Sequence, residues 1–155
     1  MKLKLTINGK IRTFESEPGE NLITLLRRNG YTEVRSGCDT GSCGLCTVWL
    51  NGSPILSCST LAARAQHKEI TTIKGMGSEA EKLAKHLVSE GADQCGYCSP
   101  GFIMTVLALK NEIENPTEAE IKHYLNGNLC RCTGYAGQTR AIMNWLKETS
   151  HEIHR

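Results

Sequence analysis

A chain of 155 residues divides into at most two small domains. Halves of about 75 residues bury only ~60% of their unfolded surface, so they often depend on a covalent or metal staple. With 18 basic and 16 acidic residues the net charge is +2, and no basic run exceeds Arg27-Arg28, which argues against nucleic acid or an anionic membrane as the main partner.

Eight cysteines, about 5% of the chain, fall short of a disulfide scaffold. Met1 to Thr13 alternate polar and apolar residues, and no apolar run reaches the ~18 residues of a membrane helix. The expectation is a cytoplasmic protein, where clustered cysteines read first as metal ligands or redox groups.

Leu3, Leu5 and Ile7 alternate with polar residues, and Asn8-Gly9 leads into Ile11 and Thr13, the pattern of a strand, a tight turn and a strand that ends before residue 14. Leu22, Leu25 and Leu26 predict a helix stopped by Asn29-Gly30. A second hairpin is expected from Thr47 to Leu50, through Asn51-Gly52, to Ile55 to Ser57, with a last strand at Ile70 to Ile73.

From Ser78 the period turns helical. Leu83, Leu87 and Val88 share one face, and Phe102, Ile103, Val106, Leu107 and Ile113 another, entered at Ser99-Pro100. A third helix begins at Thr117 with a Glu120 capping box and turns Ile121, Tyr124 and Leu125 inward. A fourth runs from Thr139 to Glu148 through Ile142, Trp145 and Leu146. The reading is a β-rich domain over 1–76 and a helical domain over 77–155.

Cys38, Cys43 and Cys46 have the C-x4-C-x2-C spacing of plant-type 2Fe-2S proteins, with Cys58 as the fourth cysteine. Gly37, Gly41 and Gly44 are expected to take positive φ so that backbone N–H groups turn toward the sulfurs. A structural zinc site competes, although zinc motifs more often pair two short knuckles.

Cys95-Gly96-Tyr97-Cys98 and Cys130-Arg131-Cys132 form a second constellation beside predicted helix ends. Spacing alone leaves a cluster, a zinc site and a thioredoxin-type Cys95/Cys98 pair open. Two ferric ions, two sulfides and four thiolates make a dianion, and Arg131, between two candidate ligands, is placed to offset it. A Rieske centre is disfavoured because none of the five histidines lies in tight spacing with a cysteine. Gly75-Met76-Gly77 with Ala80 imitates a dinucleotide fingerprint but lacks its acidic partner, and a glycine linker is the better reading. The scattered His67, His86, His123, His151 and His154 read as surface histidines.

Three blocks carry a resemblance: Gly37 to Val48, Gln94 to Gly101, and Gly127 to Tyr135. In this order they resemble the small iron-sulfur subunit or domain of the xanthine oxidase-like molybdenum hydroxylases, over nearly the whole chain. The resemblance implies an α+β protein: an N-terminal β-grasp ferredoxin-like domain, then a four-helix domain. It assigns one 2Fe-2S cluster to Cys38, Cys43, Cys46 and Cys58, and another to Cys95, Cys98, Cys130 and Cys132.

It further implies that Gln94 hydrogen-bonds a molybdopterin, that Cys132 bridges the pterin edge to the iron, and that the ferredoxin-like cluster faces FAD. Molybdopterin and FAD would sit on partner subunits of a hetero-oligomer, and this chain would carry no catalytic residue of its own. Electrons from hydroxylation of a small substrate would reach FAD and then NAD or NADP. Overall similarity leans toward relatives that oxidise N-heterocycles such as nicotinate, with carbon monoxide, purine, quinoline and aldehyde oxidisers also open. A free ferredoxin and a zinc-stapled interaction module are the competing functions.

Leu45 departs from the small residue frequent at its place, and Ala136-Gly137-Gln138 from a bulkier stretch.

Overall fold

The computed structural model describes the backbone of residues 1–152 and the side chains of 1–149. Its first half holds five strands, Lys2–Ile7, Lys10–Glu15, Thr47–Leu50, Ser53–Leu56 and Glu69–Thr71 (β1 to β5), in one sheet of order β2-β1-β5-β3-β4. Strand β1 (Lys2–Ile7) and strand β2 (Lys10–Glu15) form the expected hairpin, with Asn8 and Gly9 at positive φ in the turn. β2 continues two residues past the predicted break because Leu3 and Lys2 still offer ladder partners to Phe14 and Glu15. This edge strand is mostly exposed and carries Lys10 and Arg12, charges that discourage pairing with another sheet.

Helix α1 (Leu22–Arg28) turns Leu22, Ile23, Leu25 and Leu26 onto the sheet, where Leu3, Leu5, Ile7, Val48 and Ile70 are buried. A helix crossing a sheet with this strand order is the β-grasp arrangement. The hairpin of β3 (Thr47–Leu50) and β4 (Ser53–Leu56) follows, and Ser57–Ser59 leaves the ladder as one turn of 3-10 helix. Strand β5 (Glu69–Thr71) runs parallel to β1 and antiparallel to β3. It stops earlier than predicted because Ile73–Gly75 coils into another 3-10 turn.

The second half contains α2 (Gly77–Ser89), α3 (Ser99–Glu112), α4 (Glu118–Tyr124) and α5 (Ala136–Glu152). Helix α3 is buried from Gly101 to Leu109 and forms the axis of this core, with Leu83, Leu87, Ile121, Ile142 and Trp145 around it. Val88 is 63% exposed, contrary to its predicted inward position, since it lies one residue beyond the Leu83/Leu87 stripe. The Thr117–Glu120 capping box forms in both directions.

Helix α5 starts three residues earlier than predicted, because Thr139 donates its N–H to the carbonyl of Tyr135 and so lies inside the first turn. Trp49 ties the halves together by donating its Nε1–H to the carbonyl of Met104 at 3.0 Å. No helix among the described residues is long and apolar enough to cross a membrane.

Gly75 serves packing, not nucleotide binding: a Cβ there would collide with Asn8 Oδ1 and come within 2.8 Å of Thr71. His86 departs from the surface reading; it is 21% exposed and its Nε2 lies 2.9 Å from Glu148. His67 and His123 stay toward solvent as expected, while His154 and the side chain of His151 lie outside the described residues.

Candidate iron-sulfur centres

The first cysteine loop leaves α1 and arrives at β3. Arg27 anchors it by donating from Nη1 to the carbonyls of Val34 at 2.6 Å and Thr32 at 3.3 Å. Buried Glu33 anchors it again, accepting from Thr72 Oγ1 at 2.9 Å and pairing with Lys74 at 3.3 Å. Gly41 and Gly44 take the expected positive φ, but Gly37 does not. At Gly37 the need is space, since a Cβ would approach Leu45 Cδ2 to 2.6 Å and Cys43 Sγ to 3.5 Å.

Within this loop the Cys38 thiol contacts that of Cys43, and the Cys46 thiol contacts that of Cys58. The Cys43 contact and backbone N–H groups of Thr40, Ser42 and Cys43 hold Cys38 down at about 6. Such a concave set of N–H groups suits an anionic sulfur. Burial raises Cys43, and it raises Cys46 to about 11 against opposing hydrogen bonds from the Cys58 backbone and Ser57.

The second site joins two connections of the helical half. Cys98 immediately precedes α3, and Cys130 and Cys132 lie in the segment between α4 and α5. The thiols pair crosswise, Cys95 with Cys132 and Cys98 with Cys130. Burial pushes Cys98 up to about 12, with its Cys130 contact adding to the rise. Cys130 is also pushed up by burial, but the Thr133 hydroxyl at 3.3 Å and the N–H groups of Cys132 and Thr133 outweigh this and leave it below the usual thiol range. The Cys95 contact raises Cys132. Cys130 also donates its N–H to Tyr135 Oη at 2.9 Å, which fixes the loop against α5.

All four cysteines of this set thus act on one another, and a thioredoxin-type Cys95/Cys98 pair would leave Cys130 and Cys132 at the same site without a role. Two thiol pairs per site suit a group with two irons, each taking two thiolates.

Both cysteine sets open onto one cleft of about 450 Å³ lined by Cys38, Cys43, Cys95, Cys98, Cys130 and Cys132, with Leu45 and Leu129 beside them. Its walls are stitched across the two halves. Leu129 donates its N–H to the Cys43 carbonyl at 2.9 Å, and Tyr97 Oη donates to the Ser36 carbonyl at 2.8 Å.

Gly44 (φ +72) packs so closely on the Gly127 carbonyl and Asn128 that a Cβ would lie 2.6 Å from Asn128 Nδ2. Gly101 on α3 meets the carbonyls of Gly44 and Leu45 in the same way, the latter 2.7 Å from a built Cβ. Leu45 is buried at this seam, so its extra bulk relative to a small residue fills space between the two sites.

Gln94 and Cys132 are both exposed and stand on either side of Cys95, Gln94 in sequence and Cys132 in space. Arg131 lines the cleft but is exposed and has no ion pair among the described residues. The residue that sequence reasoning missed is Arg35, whose guanidinium sits 5.4 Å from the centroid of the Tyr97 ring. Tyr97 is distant in sequence, so no local pattern could have disclosed the contact.

Residues 5–71 match the profile of a 2Fe-2S iron-sulfur cluster binding domain, and residues 72–143 that of a [2Fe-2S] binding domain. The chain is 43% identical over 136 residues to the nicotinate dehydrogenase small FeS subunit of Eubacterium barkeri, covering 86% of this chain and 87% of that one. It is 44% identical over 149 residues to the xanthine dehydrogenase iron-sulfur-binding subunit of Escherichia coli O157:H7, covering 94% of each.

Among solved structures, a chain of quinoline 2-oxidoreductase from Pseudomonas putida 86 superposes with a TM-score of 0.89 at 36% identity, covering 98% of this chain and 96% of that one. Aldehyde oxidoreductase from Desulfovibrio gigas gives a TM-score of 0.88 at 33% identity, where the match spans 98% of this chain but 17% of the relative. With both 2Fe-2S domains present in order, and with relatives that are oxidoreductase subunits matched almost end to end, the chain belongs to the iron-sulfur subunits of the xanthine oxidase-family molybdenum hydroxylases.

Proposed function

We propose that this chain is a two-step electron relay, in which one 2Fe-2S cluster is held by Cys38, Cys43, Cys46 and Cys58 and the other by Cys95, Cys98, Cys130 and Cys132. The observation that carries the reading is the arrangement of eight thiols as four pairs, with both sets opening onto one cleft. When bound, the clusters supply one-electron transfer, and the chain's part is to hold both sites in a fixed relation. The first site belongs to a domain over 1–76 and the second to a domain over 77–155.

In this reading a molybdopterin-binding subunit docks at the helical site. Exposed Gln94 donates to or accepts from the pterin, and exposed Cys132 is the ligand nearest to it. An FAD-binding subunit meets the ferredoxin-like side and passes electrons to NAD or NADP, in a cytoplasmic hetero-oligomer. The substrate is a small N-heterocycle of the nicotinate class. Relatives named as nicotinate dehydrogenase subunits, from Eubacterium barkeri and from Pseudomonas putida, support that choice.

The test is to isolate the chain with its native partners and add nicotinate anaerobically. Molybdenum and flavin should co-purify, and substrate should bring up both cluster signals in electron paramagnetic resonance. A chain that purifies alone with clusters and exchanges electrons with soluble acceptors would make it a free ferredoxin. A full complex reduced by a purine or an aldehyde but not by nicotinate would replace the substrate and keep the relay.

A further inference from the structure

A half-buried arginine normally finds a carboxylate or a set of carbonyls, because removing a charge from water costs free energy that a partner must offset. Arg35 has neither. Its Nε is enclosed without a hydrogen-bond acceptor, and no ion pair reaches it among the described residues. The nearest acidic residue in sequence, Glu33, is already engaged by Thr72 and Lys74.

Its position is nevertheless fixed. The guanidinium stacks on the Tyr97 ring at 5.4 Å, while Tyr97 Oη bonds the carbonyl of Ser36, the next residue after Arg35. Ring and chain thus form a closed clamp. One side of it begins the loop of Cys38, and the other, Tyr97, lines the shared cleft immediately before Cys98, so the clamped cation is held against a wall of the cleft onto which both cysteine sets open.

We propose that Arg35 is a positioning residue for electron transfer, the fixed counter-charge of the cluster region, and that it sets the potential at which electrons enter it. This rests on the two-cluster reading above. A four-thiolate 2Fe-2S group is a dianion, and accepting an electron adds one more negative charge. A cation fixed beside the cleft, with its Nε enclosed, favours the more negative form and raises the potential. Arg131 lines the cleft itself, but it is exposed and no ion pair or ring contact fixes it among the described residues, so water screens it more.

The experiment compares the parent full chain with Arg35→Gln and Arg35→Lys. Iron and sulfide are measured first, and then the reduced fraction of each cluster is followed by electron paramagnetic resonance during a dithionite titration. In Arg35→Gln the reduced-to-oxidised ratio of at least one cluster at a fixed potential should fall roughly tenfold, about 59 mV for one electron. Arg35→Lys should stay near the parent value.

Unchanged potentials in fully loaded Arg35→Gln, or an equal shift in both variants, would overturn the proposal while leaving the relay intact. If Arg35→Gln loses a cluster that Arg35→Lys keeps, charge decides whether the dianion is held, which supports it; loss in both variants counts against it. A parent chain without iron and sulfide would overturn the relay and this inference together.

Discussion

At the scale of residues, the seam between the two sites depends on atoms that are missing. Gly101 is in ordinary helix, so Ala would suit its backbone, yet a methyl group there meets the carbonyls of Gly44 and Leu45. Gly101→Ala should therefore destabilise the loaded chain by roughly 1 to 3 kcal/mol, an overpacking cost visible in denaturant unfolding. A variant as stable as the parent would show that the seam yields.

The eight candidate ligands were legible in sequence because spacing and glycines are local. Their pairing was not, since Cys95 nears Cys132 only after two loops separated by α3 and α4 converge. Arg35 was hidden for the same reason, while Arg131 was legible from its place between two candidate ligands and does line the cleft, though it is exposed. Gly37 was a correct residue with the wrong cause: it needs room beside Leu45, not a positive φ.

At the scale of elements, α5 is secured by Trp145, which is fully buried against α2 and α3 with Lys110 Nζ 4.8 Å from its ring centroid. Trp145→Ala should cost roughly 3 to 5 kcal/mol, measured as a shift of the unfolding midpoint. The N-terminus of α4 tests a smaller contribution. Thr117→Ala removes a capping box closed from both sides and should cost about 1 kcal/mol.

Period and caps disclosed these elements well, and the misses share a cause. Strand β2 and helix α5 both extend past their apolar pattern because hydrogen-bond partners outside that pattern remain in reach. Val88 looked inward because it neighbours Leu87, but burial of a helix face discriminates between adjacent residues.

At the scale of the whole molecule, two cores that are each small share a seam built from both cysteine loops. The sheet side supplies Trp49, Ser36 and the Cys43 carbonyl; the helical side supplies Met104, Tyr97 and Leu129. Such a seam keeps two redox groups at a constant separation without flexible parts between them. Chemistry at the two sites should still separate: Cys43→Ser should remove the ferredoxin-type signal, and Cys130→Ser the helical one, each leaving the other in electron paramagnetic resonance. Equal loss of both signals from a folded variant would refute the assignment of ligands to two sites.

The most direct test of the relay is iron and acid-labile sulfide per chain in anaerobically prepared protein, with electron paramagnetic resonance after reduction. A two-cluster relay requires about four iron and about four sulfide, with two distinguishable 2Fe-2S signals. Zinc without sulfide, or a single cluster in fully loaded protein, would contradict it.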